Sequence, residues 1–404
     1  MYVFKPHVFT EHSPKNIVTL VRRMASKIQC DGKNIYIYSG ERLTFSESLD
    51  LSGNFLFATS EPKVRDIEVY NLARQQWRLM WNENNLPDNN DFICSTIFES
   101  NYLVFCTLQV PFNRELSDRI CRLHICNLNT KSVLVKETTG QIPYATFSKN
   151  LIRHGKYLYV VGFKALLQKF PDVYKLNMEN GVWEVDYICP GPNDYTLILR
   201  SLHTLVYDKN MIYVFDDKRI DSELDTFHLH EILAFDLEKH CWIIGKTLGD
   251  ENHIPQYPTR RKKFALTSYS DPDSGEINVI ISGGMGYYGT RDIYNDVWRL
   301  SLTSLKWTSL GRFGIVLPCQ VYSHSMTVSP AGKLFTFGGW IANKNTRYYP
   351  TFISTLHSTW LRIPKLTDIC WEAVLHYYPN LISMTDEEIM SLGLPLQLLK
   401  SRIN

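Results

Sequence analysis

The chain has 404 residues, 44% of them apolar and 21% charged, which is enough for one large core or two domains and excludes a disordered or collagen-like chain. Its 43 Lys and Arg against 41 Asp and Glu leave a formal charge of +2, so no global field draws it to nucleic acid or an acidic membrane. Aromatic residues reach 13% and, with abundant Val and Ile, favour strands over a helical bundle.

In chain order, Met1-Tyr2-Val3-Phe4-Lys5-Pro6-His7 lacks the charged and then apolar regions of a secretory signal. Tyr2-Val3-Phe4 through His7-Val8-Phe9 is instead suited to covering an open sheet edge as an outer strand. Short apolar strands then recur: Ile35 to Tyr38, Tyr102 to Phe105, Leu158 to Val161, Ile212 to Phe215, Val279 to Ile281 and Leu334 to Phe337. After each comes a second strand whose pattern is an acid at its start, alternating apolar residues, a Leu and, after four further residues, a Trp. It reads Asp66 to Leu72 with Trp77, Asp172 to Met178 with Trp183, Glu231 to Leu237 with Trp242, and Asp296 to Leu302 with Trp307. Ile120 to Leu128 is a weaker copy with Val133 in the Trp place, and Ser354 to Trp360 makes a sixth. The copies recur at intervals of about 50 to 65 residues, a span that suits four strands with their loops.

The longest apolar stretches, such as 103 to 112, are half the roughly 20 residues a membrane-crossing helix needs. Nine scattered cysteines without a CxxC pair fit reduced thiols in the cytoplasm or nucleus better than disulfides or a zinc site. No phosphate-binding glycine loop, GxSxG elbow or HExxH is present, so neither catalysis nor a cofactor is expected. Arg260-Arg261-Lys262-Lys263 matches a nuclear import signal with low specificity, and His228 with His230 reads as a surface pair lacking a third metal ligand.

Glycines at a strand end permit positive φ and close backbone approach, and a Trp fills the space between packed sheets. Gly283-Gly284 and Gly338-Gly339 with the phased tryptophans resemble kelch repeats, although Ser39-Gly40, Cys106-Thr107, Gly162-Phe163 and Asp216-Asp217 replace the doublet elsewhere. The resemblance implies an all-β six-bladed propeller over residues 1–363; an irregular β-sandwich is the alternative.

From residue 364 to 404 the period changes to helical. Leu366, Ile369, Cys370, Ala373, Val374 and Tyr377 share one helix face, Thr385 with Glu388 forms a capping box, Gly393 stops that second helix, and Pro395 opens a third through Leu398 and Ile403. Some forty residues bury little core alone, so the tail is expected to pack on the sheets or to be completed by a partner. Leu366, Ile369, Cys370 and Val374 resemble a BC-box, which docks into a groove on elongin C, and Leu394, Pro395 and Leu398 resemble a cullin box. Lys365 departs from the small residue usual there, and Gln397, where a cullin 5 box has proline, points to cullin 2.

A propeller with this tail resembles the kelch-domain substrate receptors of cullin 2 ubiquitin ligases. That resemblance implies a non-catalytic adaptor whose partners are elongin B/C, cullin 2 with its RING subunit, and client proteins read by their extreme C-terminus in the propeller bowl. The matching client-binding positions are Arg23, Arg200, His203, Arg260, Arg261, Tyr322 and His324. Asp88 and Ala145 interrupt the pattern in the second and third repeats, and Lys263 replaces a His in the fifth. The rival expectation is a kelch scaffold whose tail is only a structural cap.

Overall fold

A computed structural model describes residues 2–12, 23–24, 26–38, 41–42, 66–81, 92–99, 101–109, 120–143, 148, 150–162, 170–190, 204–215, 229–286, 292–341, 351–381 and 384–394. Among the described residues most strands fall into six antiparallel four-stranded units. The first joins Lys27–Cys30, Asn34–Tyr38, Ile67–Asn71 and Gln76–Trp81, and the second Phe92–Glu99, Tyr102–Gln109, Ile120–Asn127 and Ser132–Gly140. Ile152–His154, Tyr157–Gly162, Asp172–Asn177 and Val182–Tyr187 form the third, and Thr204–Asp208, Met211–Phe215, Glu231–Asp236 and Cys241–Lys246 the fourth. The fifth contains Ala265–Ser270, Ile277–Ser282, Val297–Ser301 and Trp307–Ser309. The sixth begins with Ser325–Val328, Lys333–Ile341 and Thr351–Trp360, and its fourth strand is Thr10–His12.

Second strands such as Asn34–Tyr38 and Ile277–Ser282 are buried along nearly their whole length rather than on alternate residues. Each unit has a neighbour on both faces, which is why these strands read as continuous apolar runs. The buried residues sort accordingly into clusters drawn from two successive units. Tyr38 and Val69 meet Phe105 and Cys126; Cys106 and Leu123 meet Val160 and Trp183; Val161 and Val173 meet Ile212 and Phe235. Val206 and Ile232 meet Ile281 and Trp307, and Ile280 and Val297 meet Val321 and Leu334. A sixth cluster packs Ile35, Ile37 and Trp77 of the first unit against Phe335, Phe337 and Leu356 of the last.

The tryptophans are what join one unit to the preceding one. Trp183 Nε1 donates to Thr138 Oγ1 (2.9 Å), Trp242 Nε1 to Pro171 O (3.1 Å) and Trp307 Nε1 to Leu229 O (2.9 Å). The ring fills the gap while its one polar atom finds a partner across it. Ser132–Gly140 also pairs in parallel with the third unit's outer strand, Thr139 opposite Val182 and Gly140 opposite Trp183.

The sequence reading is corrected at two points. The N-terminal strand is Thr10–His12, not the stretch from Tyr2 to Phe9, and it runs antiparallel to Thr351–Trp360. Trp360 consequently belongs to a third strand, whereas Trp77, Trp183, Trp242 and Trp307 lie on fourth strands. Phe9, one residue before the paired register, packs into the cluster between the fifth and sixth units. It takes there the place Trp307 holds one interface earlier.

The tail forms α1 (Leu366–Tyr377) and α2 (Asp386–Ser391). The expected capping box is present, with Glu388 N donating to Thr385 Oγ1 and Thr385 N to Glu388 Oε2, and Gly393 follows at φ 74°. Trp371 and Val374 of α1 pack against Leu381 and Ile389 in a small cluster of the tail's own. No helix among the described residues is long and apolar enough to cross a membrane.

Candidate functional site

Antiparallel order sorts the connections between strands. Within a unit, the start of the first strand, the end of the second and the start of the third share one end of the sheet, while the 1–2 and 3–4 hairpins share the other. Arg260, Arg261, Lys263, Tyr322 and His324 precede first strands and lie at the former end. The tail leaves the end of the third strand Thr351–Trp360 and so starts at the latter, where Leu361 N donates to Gly332 O of the sixth unit's first hairpin.

The site residues named from sequence differ in their surroundings. Arg261 has a side chain 0% exposed and binds Asp296 with both terminal nitrogens, Nη2 to Oδ2 at 2.8 Å. Its Nε and Nη1 also donate to Thr259 O (2.8 Å) and Gly283 O (3.0 Å), and its guanidinium stacks 4.3 Å from the Tyr294 ring. A bidentate arginine so engaged has no face left for a client carboxylate. His324 is buried too, its Nε2 2.8 Å from Ser282 Oγ and its Nδ1 without a partner among the described residues. Burial pushes its imidazole down to about 3, so it is neutral near pH 7. Arg261 and His324 are therefore corrected from ligand candidates to structural residues.

Part of the reason is the glycine doublet. A Cβ on Gly283 (φ 57°) would stand 2.5 Å from Val321 O and 2.8 Å from His324 Cε1, so the second strand of the fifth unit ends directly against the sixth unit. Arg260 and Tyr322 are half-buried and Lys263 is exposed, its Nζ 5.7 Å from the Tyr322 ring centre. These three lie at the end of the sheets where first strands start, two cations and one aromatic ring. Arg23 lies in a two-residue strand paired with Glu41–Arg42. The Arg23 side chain, Arg200, His203, Asp88 and Ala145 lie outside what is described.

On α1 the residues also part company. Leu366 is 73% exposed, Cys370 and Tyr377 are exposed, and at 3.6 residues per turn all three fall on one stripe. Ile369 is half-buried and Val374 is turned into the tail's own cluster. Glu372 anchors the opposite side. Its Oε1 receives Lys333 Nζ (2.5 Å) and Trp360 Nε1 (3.0 Å), and its Oε2 receives Tyr2 Oη (2.9 Å). Leu394 is half-buried against Leu381 and Ile389, and Pro395 and Leu398 lie outside the described residues.

Four-stranded antiparallel units, fourth-strand tryptophans and glycine doublets in or directly after second strands are the features of a kelch-repeat β-propeller. Curated relatives agree with that class: kelch domain-containing protein 10 homolog of Drosophila melanogaster is 26% identical over 412 residues, covering 98% of this chain and 64% of its own length. Kelch domain-containing protein 10 of Rattus norvegicus is 24% identical over 385 residues, covering 94% of this chain and 85% of its own, and that of Homo sapiens is 24% identical over 379 residues, covering 92% and 77%. This chain thus spans just under two thirds of the fly relative. No family profile matches it. The solved structure of YjhT aligns at a TM-score of 0.47 with 12% identity, over 84% of this chain and 95% of that one.

Proposed function

We propose that the chain is a six-bladed kelch propeller acting as the non-catalytic client-recognition subunit of a cullin 2 ubiquitin ligase in the cytoplasm or nucleus. The observation that carries this reading is the division of α1: Leu366 and Cys370 stand one turn apart and exposed, while Glu372 and Val374 fix the rest of the helix to its own chain. An apolar stripe on a braced helix suits docking into a hydrophobic groove, the mode by which a BC-box engages elongin C. Ile369 and Val374 would line the edges of that contact. Leu394, Pro395 and Leu398 would meet cullin 2 beside its RING subunit, and elongin B would join through elongin C.

The six clusters joining successive units, the last to the first, support the six-bladed ring. Its client end offers Arg260, Lys263 and Tyr322, joined in the proposal by Arg23, Arg200 and His203, to a client's terminal carboxylate. Client and ligase would then engage opposite ends of the sheets, and the chain's contribution to ubiquitin transfer is proximity.

Capture of purified elongin B/C by the full chain tests the reading. Wild type should retain the complex, and a Leu366→Ser, Cys370→Ser double variant should lose it. Equal recovery from both, or none from wild type, would leave the kelch scaffold with a capping tail. On the client side, Arg260→Ala should weaken capture of C-terminal peptides.

A further inference from the structure

We infer that the N-terminal segment, besides completing the sixth unit, braces α1 through Glu372, so that closure of the ring and orientation of the tail are one coupled arrangement. Residues 6 to 12 follow the second half of the strand Thr351–Trp360. Thr10, Glu11 and His12 pair with Ser358, His357 and Leu356. Nearer the tail, Pro6 O accepts from Trp360 N (2.9 Å), and His7 Nδ1 lies 3.0 Å from Trp360 O. Tyr2 then reaches α1 itself: its backbone N donates to Tyr377 Oη (2.7 Å), its Oη donates to Glu372 Oε2 (2.9 Å), and its ring lies 5.5 Å from that of His376.

Glu372 is the joint because its two oxygens face different parts of the protein. Oε1 is held by Lys333 and Trp360, both on strands of the sixth unit, and Oε2 by Tyr2 of the segment that closes it. The carboxylate and the lysine are each only partly exposed, so their attraction is less screened than that of a surface pair. Loosening either side withdraws hydrogen bonds from the same charged acceptor, and coupling of this kind is reciprocal. Glu372, the joint of the brace, lies on the side of α1 away from Leu366 and Cys370, and Tyr2 meets their stripe only at Tyr377, about two turns beyond Cys370. The brace therefore stands whether or not elongin C binds, and only its consequence, a fixed angle between client and ligase, rests on the adaptor reading.

Hydrogen exchange on the full-length chain tests it, with Tyr2→Phe, Glu372→Ala and Glu372→Gln compared with wild type and peptides read from α1, the closing strand and, as a control, Ala265–Ser270. A hydrogen bond to a charged group is strong enough that its loss should speed exchange of the α1 amides by roughly tenfold or more. Glu372→Ala should speed both α1 and Thr10–His12, Tyr2→Phe should speed α1 although the substitution lies outside it, and Glu372→Gln, which keeps two acceptor contacts, should restore most of the protection. The control strand should not change. Unchanged α1 exchange in Tyr2→Phe, or a Glu372→Ala effect confined to α1, would overturn the coupling. Elongin B/C capture by the same variants should stay within about twofold of wild type, since neither substitution touches Leu366 or Cys370. A wild type that fails to capture the complex counts against the adaptor alone.

Discussion

Arg261 and Asp296 meet end on beside the fifth unit, both guanidinium Nη atoms against the carboxylate, with Trp298 Nε1 donating 2.8 Å to the same Asp296 Oδ2. Removing the arginine would leave a carboxylate and the Gly283 carbonyl without their main donor. Arg261→Ala should therefore cost about 3 to 5 kcal/mol in denaturant unfolding. Arg260→Ala, one residue earlier and half-buried, should fall within about 1 kcal/mol of wild type. The adjacent pair thus separates a loss of fold from a loss of the proposed client binding.

Gly140 stands opposite Trp183 where the second and third units are joined, at φ 88°, and a Cβ there would lie 2.5 Å from Trp183 O. Backbone cannot yield as the tip of a side chain can. Gly140→Ala should lose about 2 to 4 kcal/mol by chemical denaturation, from left-handed strain plus the clash. Gly155, equally left-handed at φ 56° but with open space around its Cβ position, is the comparison: Gly155→Ala should cost only the strain, about 1 to 2 kcal/mol. Equal losses would mean that the contact with Trp183 contributes nothing.

The strands were legible because burial on both faces leaves a continuous apolar run, as in Val279 to Ile281, and the α1 bounds because the helical period begins directly after a proline. The fourth strand of the last unit was not. Its partner lies some 350 residues away, and nothing local marks Thr10–His12 as belonging beside Ser358, so spacing alone groups Trp360 with tryptophans of a different strand. The site was legible in part for a similar reason. Arg260 and Arg261 are chemically alike, and only the position of Asp296 decides which one is buried. The acid that starts the Trp-preceding strand in four of the repeats was the available signal, since a carboxylate shielded from water requires a donor: buried Asp172 takes Cys189 N, and half-buried Asp296 takes Arg261.

His324 makes stability depend on acid. Held neutral by burial, it takes a proton only near pH 3, whereas in the unfolded chain the same ring titrates near 6.5. Below pH 6.5 the unfolded state therefore binds the extra proton. The stability due to this group is complete above that value and falls as the pH drops, by about 2 kcal/mol at pH 5. Unfolding free energies at pH 7 and pH 5 check this. The difference between them should shrink by about that amount in His324→Asn, and an identical pH dependence in the variant would assign the acid sensitivity elsewhere.

The two sides of α1 should respond oppositely to substitution. Leu366 and Cys370 contribute little to the chain's own folding, so Leu366→Ser and Cys370→Ser should each shift unfolding by no more than about 0.5 kcal/mol. Val374→Ala removes two methyl-sized groups from the cluster around Leu381 and Ile389, and should loosen the tail by about 1 to 2 kcal/mol in local hydrogen exchange. Thr385→Ala should subtract about 1 kcal/mol from α2 alone by breaking the capping box. If instead the serine variants unfold the tail as readily as Val374→Ala does, the exposed stripe is part of the fold, and loss of elongin C capture by the double variant no longer reports on an interface.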